Sequence, residues 1–489
     1  MKILVAITSF GTGNDHYLRR LIEEYRSMPD KVDIVVLSNI SKDLPPGIEL
    51  QVGLPTPDPW SLPFAHKAVL ASRAGEYDLF IYSEDDILIT RRNIESFLQA
   101  TGALHSDEIA GFIRTETDRS GRRYYPDIHD SFHWDPSSVV KRGDQTFAFL
   151  TCEHSACYLL TRAQLRRAMD SGEFLVRPSE GKYDLACTAA TDPYTRCGFR
   201  KLVCVSDPDS FSVSHLSNKY LGTDYDLDER DFRRQIKALN EIAVGRRAQC
   251  QLLNTETSLP DFKFSKSYYE PSSADLLSLV STDAGKVLIV GCGSGIMEES
   301  FVRRGAEVFG IPLDSVISVC AEERGVRTVS ADFASAWQEL SSLRFDHIIV
   351  ANILHLDRNP LATVRECANL LSPGGRLILL SPNFSYPRLL KLRRERAFRH
   401  FHKYEQTGIN LITRRILLEW LRHCGLVTPT VLGTLPKSLQ KVGRLASALR
   451  PYLATDLIVT AQRRAAKTTR EGALPQASTK LERRAEVPV

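Results

Sequence analysis

Three consecutive acids, Glu84, Asp85 and Asp86, interrupt the apolar stretch FIYSEDDILI between Phe80 and Ile89. Unpaired carboxylates are costly to bury, so acids ending an apolar run must be solvated, paired or bound to a cation. Adjacent carboxylates suit a hard divalent ion, Mg2+ or Mn2+, that bridges a diphosphate and offsets charge on a leaving group. A second stretch with chemical potential is KVLIVGCGSG, in which Gly291, Gly293 and Gly295 follow the apolar run from Val287 to Val290. Glycines there let the backbone turn sharply and come close to a ligand. The spacing is G-x-G-x-G, not the G-x-G-x-x-G of dinucleotide folds. The tightest cysteine cluster is Cys152, His154 and Cys157 in TCEHSACYLL. It has no second ligand pair to complete a zinc site and reads as buried thiols.

These groups need strands and helices to hold them. The chain has 489 residues, 43% apolar and 25% charged, with a net charge of +4. That length suits two or more domains, and the near balance of charge gives no general bias to nucleic acid or membrane. No apolar run approaches the roughly 20 residues that span a bilayer. The opening MKILVAITSF is too short an apolar run for a signal peptide and reads as a first strand, so the expected location is cytoplasmic. Ten cysteines without a C-x-x-C make no disulfide framework. Strand-like segments KILVAITS, VDIVVLS, YDLFIYS and FRKLVCVS alternate with helix-like YLRRLIEEYRSM and the stretch from Pro63 to Arg73. A second alternation runs from KVLIVGCGSG to DLIVTAQRR. Both predict α/β architecture with parallel-rich sheets. The expected domains are 1–225, a helical linker 226–272 with its helix over Asp228 to Ala248, a second domain 273–465, and a disordered polar tail 466–489.

In the second half, the glycine loop, FDHIIVANILHL and LSPGGRLILLSPN together resemble a class I S-adenosylmethionine-dependent methyltransferase of the small-molecule type, with a Rossmann-like fold. The resemblance covers about Asp275 to Arg464. It implies that Gly291, Cys292, Gly293 and Gly295 face the methionine part of the cofactor. Asp332 and Phe333 resemble the pair that holds the adenine. Asn352 lies where the reactive methyl emerges, and His355 would orient or deprotonate an acceptor hydroxyl. The family carries an acid directly after its second strand for the ribose hydroxyls. Here VFGIPLDS puts Pro312 at that place, which leaves Asp314, two residues on, as the candidate. The run KLRRERAFRHFHK within the basic segment 388–403 reads as a solvated face, with an anionic acceptor or a peripheral contact at an inner membrane as the sharper alternative. No nucleic-acid recognition module accompanies it.

The first half resembles, over about Met1 to Tyr220, a GT-A type glycosyltransferase, on the strength of the opening strand, the SEDD motif and SVSHLSNKY. That resemblance implies Mg2+ or Mn2+ held by Asp86 and His215. It places Thr8, Ser9, Phe10, Glu84 and Asp85 on the nucleotide-sugar. The catalytic base would be Asp184, with Asp192 and Glu153 as alternatives. The combined expectation is a bifunctional glycan-modifying enzyme, taking sugar from a nucleotide-sugar donor to a glycan or lipid-linked glycan acceptor and methyl to a hydroxyl. The alternatives are a methyltransferase with a non-catalytic sugar-binding N-terminal domain, and a scaffold with a degenerate methyltransferase domain.

Overall fold

The computed structural model describes residues 1–224, 226–257, 259, 262–281, 285–384, 404–434 and 454–464. The basic segment 388–403 and the tail expected over 466–489 therefore lie outside the described residues.

The N-terminal half is built on β1 (Lys2–Ser9), β2 (Lys31–Ser38), β3 (Glu49–Val52) and β4 (Leu79–Glu84), all running parallel in the order β4-β1-β2-β3. Seven of the eight β1 residues are buried. A strand covered on both faces reads as a continuous apolar run, which KILVAITS is. The helix Asp15–Ser27 between β1 and β2 buries Leu18, Leu21, Ile22 and Tyr25, one helical face at three- and four-residue spacing. The strand Cys157–Thr161 adds to the edge of β4 in antiparallel sense. The β1–β4 register sets Thr8 beside Glu84.

A second small sheet lies just past the acids. It joins β5 (Ile87–Leu88), β6 (Ile113–Thr117) and β7 (Ser212–His215). His215 pairs with Ile87, and Ser214 with Thr115, so the register delivers His215 to Asp86 and to Glu116 at once.

The linker helix is present but shorter than expected, at Glu229–Ala243. It stops where Gly245 takes a φ of +72°, as helices commonly end. Its apolar face belongs to the N-terminal core: Phe232 stacks on Tyr125 with ring centres 3.6 Å apart. Its polar side reaches the other half, where Asp231 pairs with Arg324 at 2.5 Å.

The C-terminal half holds a seven-stranded sheet. In chain order its strands are β8 (Lys286–Cys292), β9 (Glu307–Pro312), β10 (Arg327–Thr328), β11 (Phe345–Ala351), β12 (Leu371–Pro382), β13 (Val427–Thr434) and β14 (Asp456–Gln462). Their spatial order is β10-β9-β8-β11-β12-β14-β13, with β14 antiparallel to both neighbours and the other pairs parallel. The order reverses direction at β8, so the crevice between β8 and β11 is where an open sheet of this kind takes its ligand. Among the described residues, no helix is long and apolar enough to cross a membrane.

Candidate functional site

The three acids at the end of β4 have three different environments. Asp85 is buried, and its carboxylate accepts from Ser9 Oγ at 2.5 Å and Asn14 Nδ2 at 2.8 Å. Burial raises its pKa, against the pull of those two donors. Asp86 lies 3.1 Å from His215 Nε2, and His215 Nδ1 lies 2.6 Å from Glu116. Burial opposes ionisation of both Asp86 and His215. The contacts between them prevail, so Asp86 is held below the ordinary carboxylate value and His215 above the ordinary imidazole value. Each ring nitrogen of His215 thus faces a carboxylate, an arrangement that favours the protonated ring. Glu84 is half-buried and faces a cavity; burial first, then the Asp86 charge, push it up to about 7.

The expectation of Mg2+ or Mn2+ on Asp86 and His215 is not supported. The two His215 nitrogens face Asp86 and Glu116. Among the described residues, no group of three or more His, Cys, Asp or Glu could hold a metal ion. The Cys152, His154 and Cys157 thiols and ring are buried.

The cavity beyond Glu84 and Asp85 holds about 360 Å³. Thr8, Phe10 and Asn14 line one side, and Trp60 and Pro63 the other. Trp60 and Phe10 are 63% and 53% exposed, large apolar surfaces left to solvent at its mouth. Ser9, expected beside them, is instead fully buried under Asp85. The base candidates lie in separate settings. Asp184 is exposed and caps the helix Leu185–Thr195 through the Cys187 amide at 2.8 Å. Asp192 is buried and pairs with buried Lys67. Glu153 accepts from Lys182 at 2.9 Å and from the Tyr183 hydroxyl at 3.1 Å.

The second site forms at the carboxyl ends of β8, β9 and β11. Gly291 and Cys292 end β8, with a register shift opposite Pro312. Gly293 admits no side chain, because a Cβ there would collide with the Tyr268 carbonyl. Gly295 has a φ of +88°, the left-handed conformation that favours glycine. Asp314 follows β9 and is buried. Its Oδ1 accepts from the Val316 and Ile317 amides at 2.7 Å each, and its Oδ2 has no hydrogen-bond partner. The Tyr268 hydroxyl favours its ionised form. Burial pushes Asp314 up to about 7 in spite of the two amides. Asp332 is exposed and caps the helix Phe333–Leu340 through Ser335, and Phe333 stacks on Trp337.

Asn352 takes a φ of +52° just past β11 and donates to Glu270 at 2.9 Å. His355 is buried, and its Nε2 lies 2.7 Å from the Phe264 carbonyl. A carbonyl only accepts, so Nε2 carries the hydrogen and Nδ1 the lone pair, which is buried without a partner. Burial pushes His355 down to about 4, so it is neutral at physiological pH.

What joins these groups is a strap, residues 262–270, that the sequence shows only as polar connector. Tyr268 is fully buried, stacks on His133, donates its amide to the Asp130 carbonyl and accepts the Ser294 amide, each at 2.7 Å. Phe262 packs edge-on against Phe132. Lys266 and Glu270 pair at 2.5 Å directly beside the glycine loop. No sequence signal marks Lys266, Tyr268 or Glu270 beyond their place just before the glycine-bearing strand.

Comparison with known proteins places this geometry. Residues 266–429 match the family described as a methyltransferase domain. The ubiquinone biosynthesis O-methyltransferase of Xanthomonas euvesicatoria pv. vesicatoria is 33% identical over 172 residues, covering 33% of this chain and 71% of that protein. The enzyme of the same name from Xylella fastidiosa (strain M23) is 32% identical over 161 residues, covering 32% of this chain and 65% of that protein. This chain therefore spans just under two thirds of the Xylella relative's length. The crystal structure of an S-adenosylmethionine dependent methyltransferase from Mesorhizobium loti aligns at 20% identity with a TM-score of 0.29, over 39% of this chain and 96% of its own. The family match lies beyond residue 225, and these similarities give no support to a GT-A glycosyltransferase in the first half. Through its C-terminal half, the chain belongs to the class I S-adenosylmethionine-dependent methyltransferases.

Proposed function

We propose that the C-terminal half transfers a methyl group to a hydroxyl of a glycan or related small acceptor, and that the N-terminal domain binds a sugar-like ligand without transferring it. The observation that carries the first part is the unpaired Asp314 Oδ2, a buried acceptor at the end of β9 beside a glycine cradle. The residues fit the cofactor on that count and on one other: Ser294 Oγ is buried with no partner. When bound, S-adenosylmethionine supplies a methyl group on a sulfonium, open to attack by oxygen. Asp314 would receive the ribose hydroxyls in place of the acid that Pro312 displaces. Neutral His355 keeps its lone pair on Nδ1, the form that accepts a proton from a hydroxyl. The names of the curated relatives describe O-methyl transfer, which favours an oxygen acceptor here.

For the N-terminal domain, exposed Trp60 and Phe10 offer flat apolar faces to a sugar ring, and Glu84 offers acceptors to its hydroxyls. Calorimetry with S-adenosylhomocysteine, alone and with Asp314→Asn, tests the first part. Absence of binding by the wild type at about millimolar ligand, roughly 4 kcal/mol, would instead favour the scaffold with a degenerate domain. Sugar transfer is a second reading, favoured by one observation: Glu84 and Asp85 floor a cavity at the carboxyl end of a central parallel strand. Release of nucleoside diphosphate from a panel of nucleotide-sugars, abolished in Glu84→Gln, would establish it; no release leaves binding alone.

A further inference from the structure

The strap carries chemistry that a connector does not need. The Lys266 side chain is 1% exposed and pairs with Glu270 Oε2 at 2.5 Å. The other Glu270 oxygen accepts from Asn352 Nδ2 at 2.9 Å. Ser294, 1% exposed, presents a hydroxyl with no partner in the same wall. Gly291 and Gly293 line the same wall, packed closely under Ile353 and the Tyr268 carbonyl. The space these groups enclose is about 10 Å³, hardly enough for one water.

Taking a lysine and a glutamate out of water costs several kcal/mol per ion, and their mutual attraction offsets this only in part. A chain that needed only a tight turn over a glycine loop would be better served by apolar side chains. The charges match a ligand instead. The amino-acid end of S-adenosylmethionine carries one carboxylate and one ammonium, the same two charges that Glu270 and Lys266 present to each other.

The geometry points to Lys266 and Glu270 as the positioning pair for the amino-acid end of the cofactor. The Lys266 ammonium takes the α-carboxylate and the Glu270 carboxylate takes the α-ammonium. Their ion pair is the resting arrangement, and it separates when the ligand's own charges replace it. Ser294 Oγ, bare in the resting state, gains a partner in the same event. This inference rests on the methyltransferase reading above and adds the residues that read the amino-acid end.

The test compares two ligands that share adenosine and a thioether sulfur. S-adenosylhomocysteine has the amino-acid end, and 5′-methylthioadenosine lacks it. Calorimetric Kd values are measured for the full-length wild type, Lys266→Met and Glu270→Gln. Lys266→Met is expected to weaken S-adenosylhomocysteine by about tenfold or more, as for loss of one charge-assisted hydrogen bond, and to leave methylthioadenosine within about twofold. Equal loss for both ligands, or no loss for S-adenosylhomocysteine, overturns the inference and leaves the methyltransferase reading standing. If the wild type binds neither ligand, that reading fails as well. Should Lys266→Met not fold, Glu270→Gln, which keeps the size of the side chain and one acceptor oxygen, decides by the same ratio.

Discussion

Replacing Asp314 with asparagine should stabilise the fold at neutral pH and weaken cofactor binding at the same time. Burial holds the Asp314 pKa up at about 7, from an ordinary 3.8. A carboxyl raised in this way has no effect on stability below its unfolded pKa, because it is protonated in both states. As pH rises past that value, the unfolded chain releases its proton and the folded chain retains it. Stability therefore falls through the window from 3.8 to about 7 and levels off above it. The whole rise corresponds to roughly 4 kcal/mol. Local relaxation and water entry reduce such costs in real proteins, so a difference of about 1–2 kcal/mol is the expected outcome. Asparagine keeps the oxygen that the Val316 and Ile317 amides need and has no charge to desolvate.

Calorimetric melts of the intact chain read the effect. Near pH 4 the variant and wild type should unfold together, and at about pH 8 the variant's C-terminal transition should rise by roughly 2–8 °C. Binding of S-adenosylhomocysteine should weaken by about tenfold, because a neutral amide replaces a charged acceptor. A variant less stable than wild type at the higher pH, or shifted equally at both, refutes the argument. Such a result would mean that Oδ2 is satisfied in the folded chain.

Three other outcomes follow from the geometry. Lys67→Met leaves buried Asp192 with Arg196 alone, at 3.0 Å, and should lower stability by about 2–3 kcal/mol in denaturant titrations, less than the full cost of an uncompensated buried charge; the Lys67→Met/Asp192→Leu double variant should recover part of it, and a loss under about 1 kcal/mol for the single variant would contradict the pairing. The His215 pKa is raised, so its contribution is fully present below the ordinary 6.5 and is lost as pH rises through the folded value. His215→Gln should flatten that alkaline decline in urea midpoints, and an unchanged slope would count against the clamp. Trp60→Ala should leave stability within about 0.5 kcal/mol, since the ring is 63% exposed, and weaken oligosaccharide binding by about 1 kcal/mol; unaltered affinity would remove Trp60 from the site.

The parallel strands were legible because burial on both faces writes itself as unbroken apolar sequence, in KILVAITS and KVLIVGC alike. The glycine loop was legible because close approach of backbone admits no other residue at Gly293. What local pattern could not convey was partnership across the chain. Asp86 and His215, expected as metal ligands, meet at 3.1 Å as an ion pair, and their chemistry turns on Glu116, which arrives through strand register from 99 residues away. With Glu116 in place the pair becomes an ion-pair clamp. The stretch from Pro63 to Arg73 was expected as one helix. It divides into a 3-10 turn over Pro59–Phe64 and the α-helix Ala65–Ser72, because Pro63 has no N–H to continue the α-helical ladder. The strap is illegible in the sequence for a related reason. SKSYYE has neither helical nor strand periodicity, and Glu270 acquires its role from Asn352, 82 residues on.

The two halves answer the same question about charge at a strand end, and the answer separates ligand groups from structural ones. Asp85 and Asp86 are served by the protein itself, through Ser9, Asn14 and His215. Charges satisfied in this way rigidify the fold and gain little from a ligand. Glu84 and Asp314 differ. Each stands at or just past the end of a parallel strand, and each is pushed up to about 7 by burial. A carboxyl held in that condition is a cost the fold carries until something polar arrives to relieve it, and relief of that cost adds to the affinity for whatever brings the donor. Of the three acids in SEDD, it is therefore Glu84, not the better-connected Asp86, that is positioned to meet a ligand, and in the C-terminal half Asp314 holds the corresponding place one bend beyond Pro312.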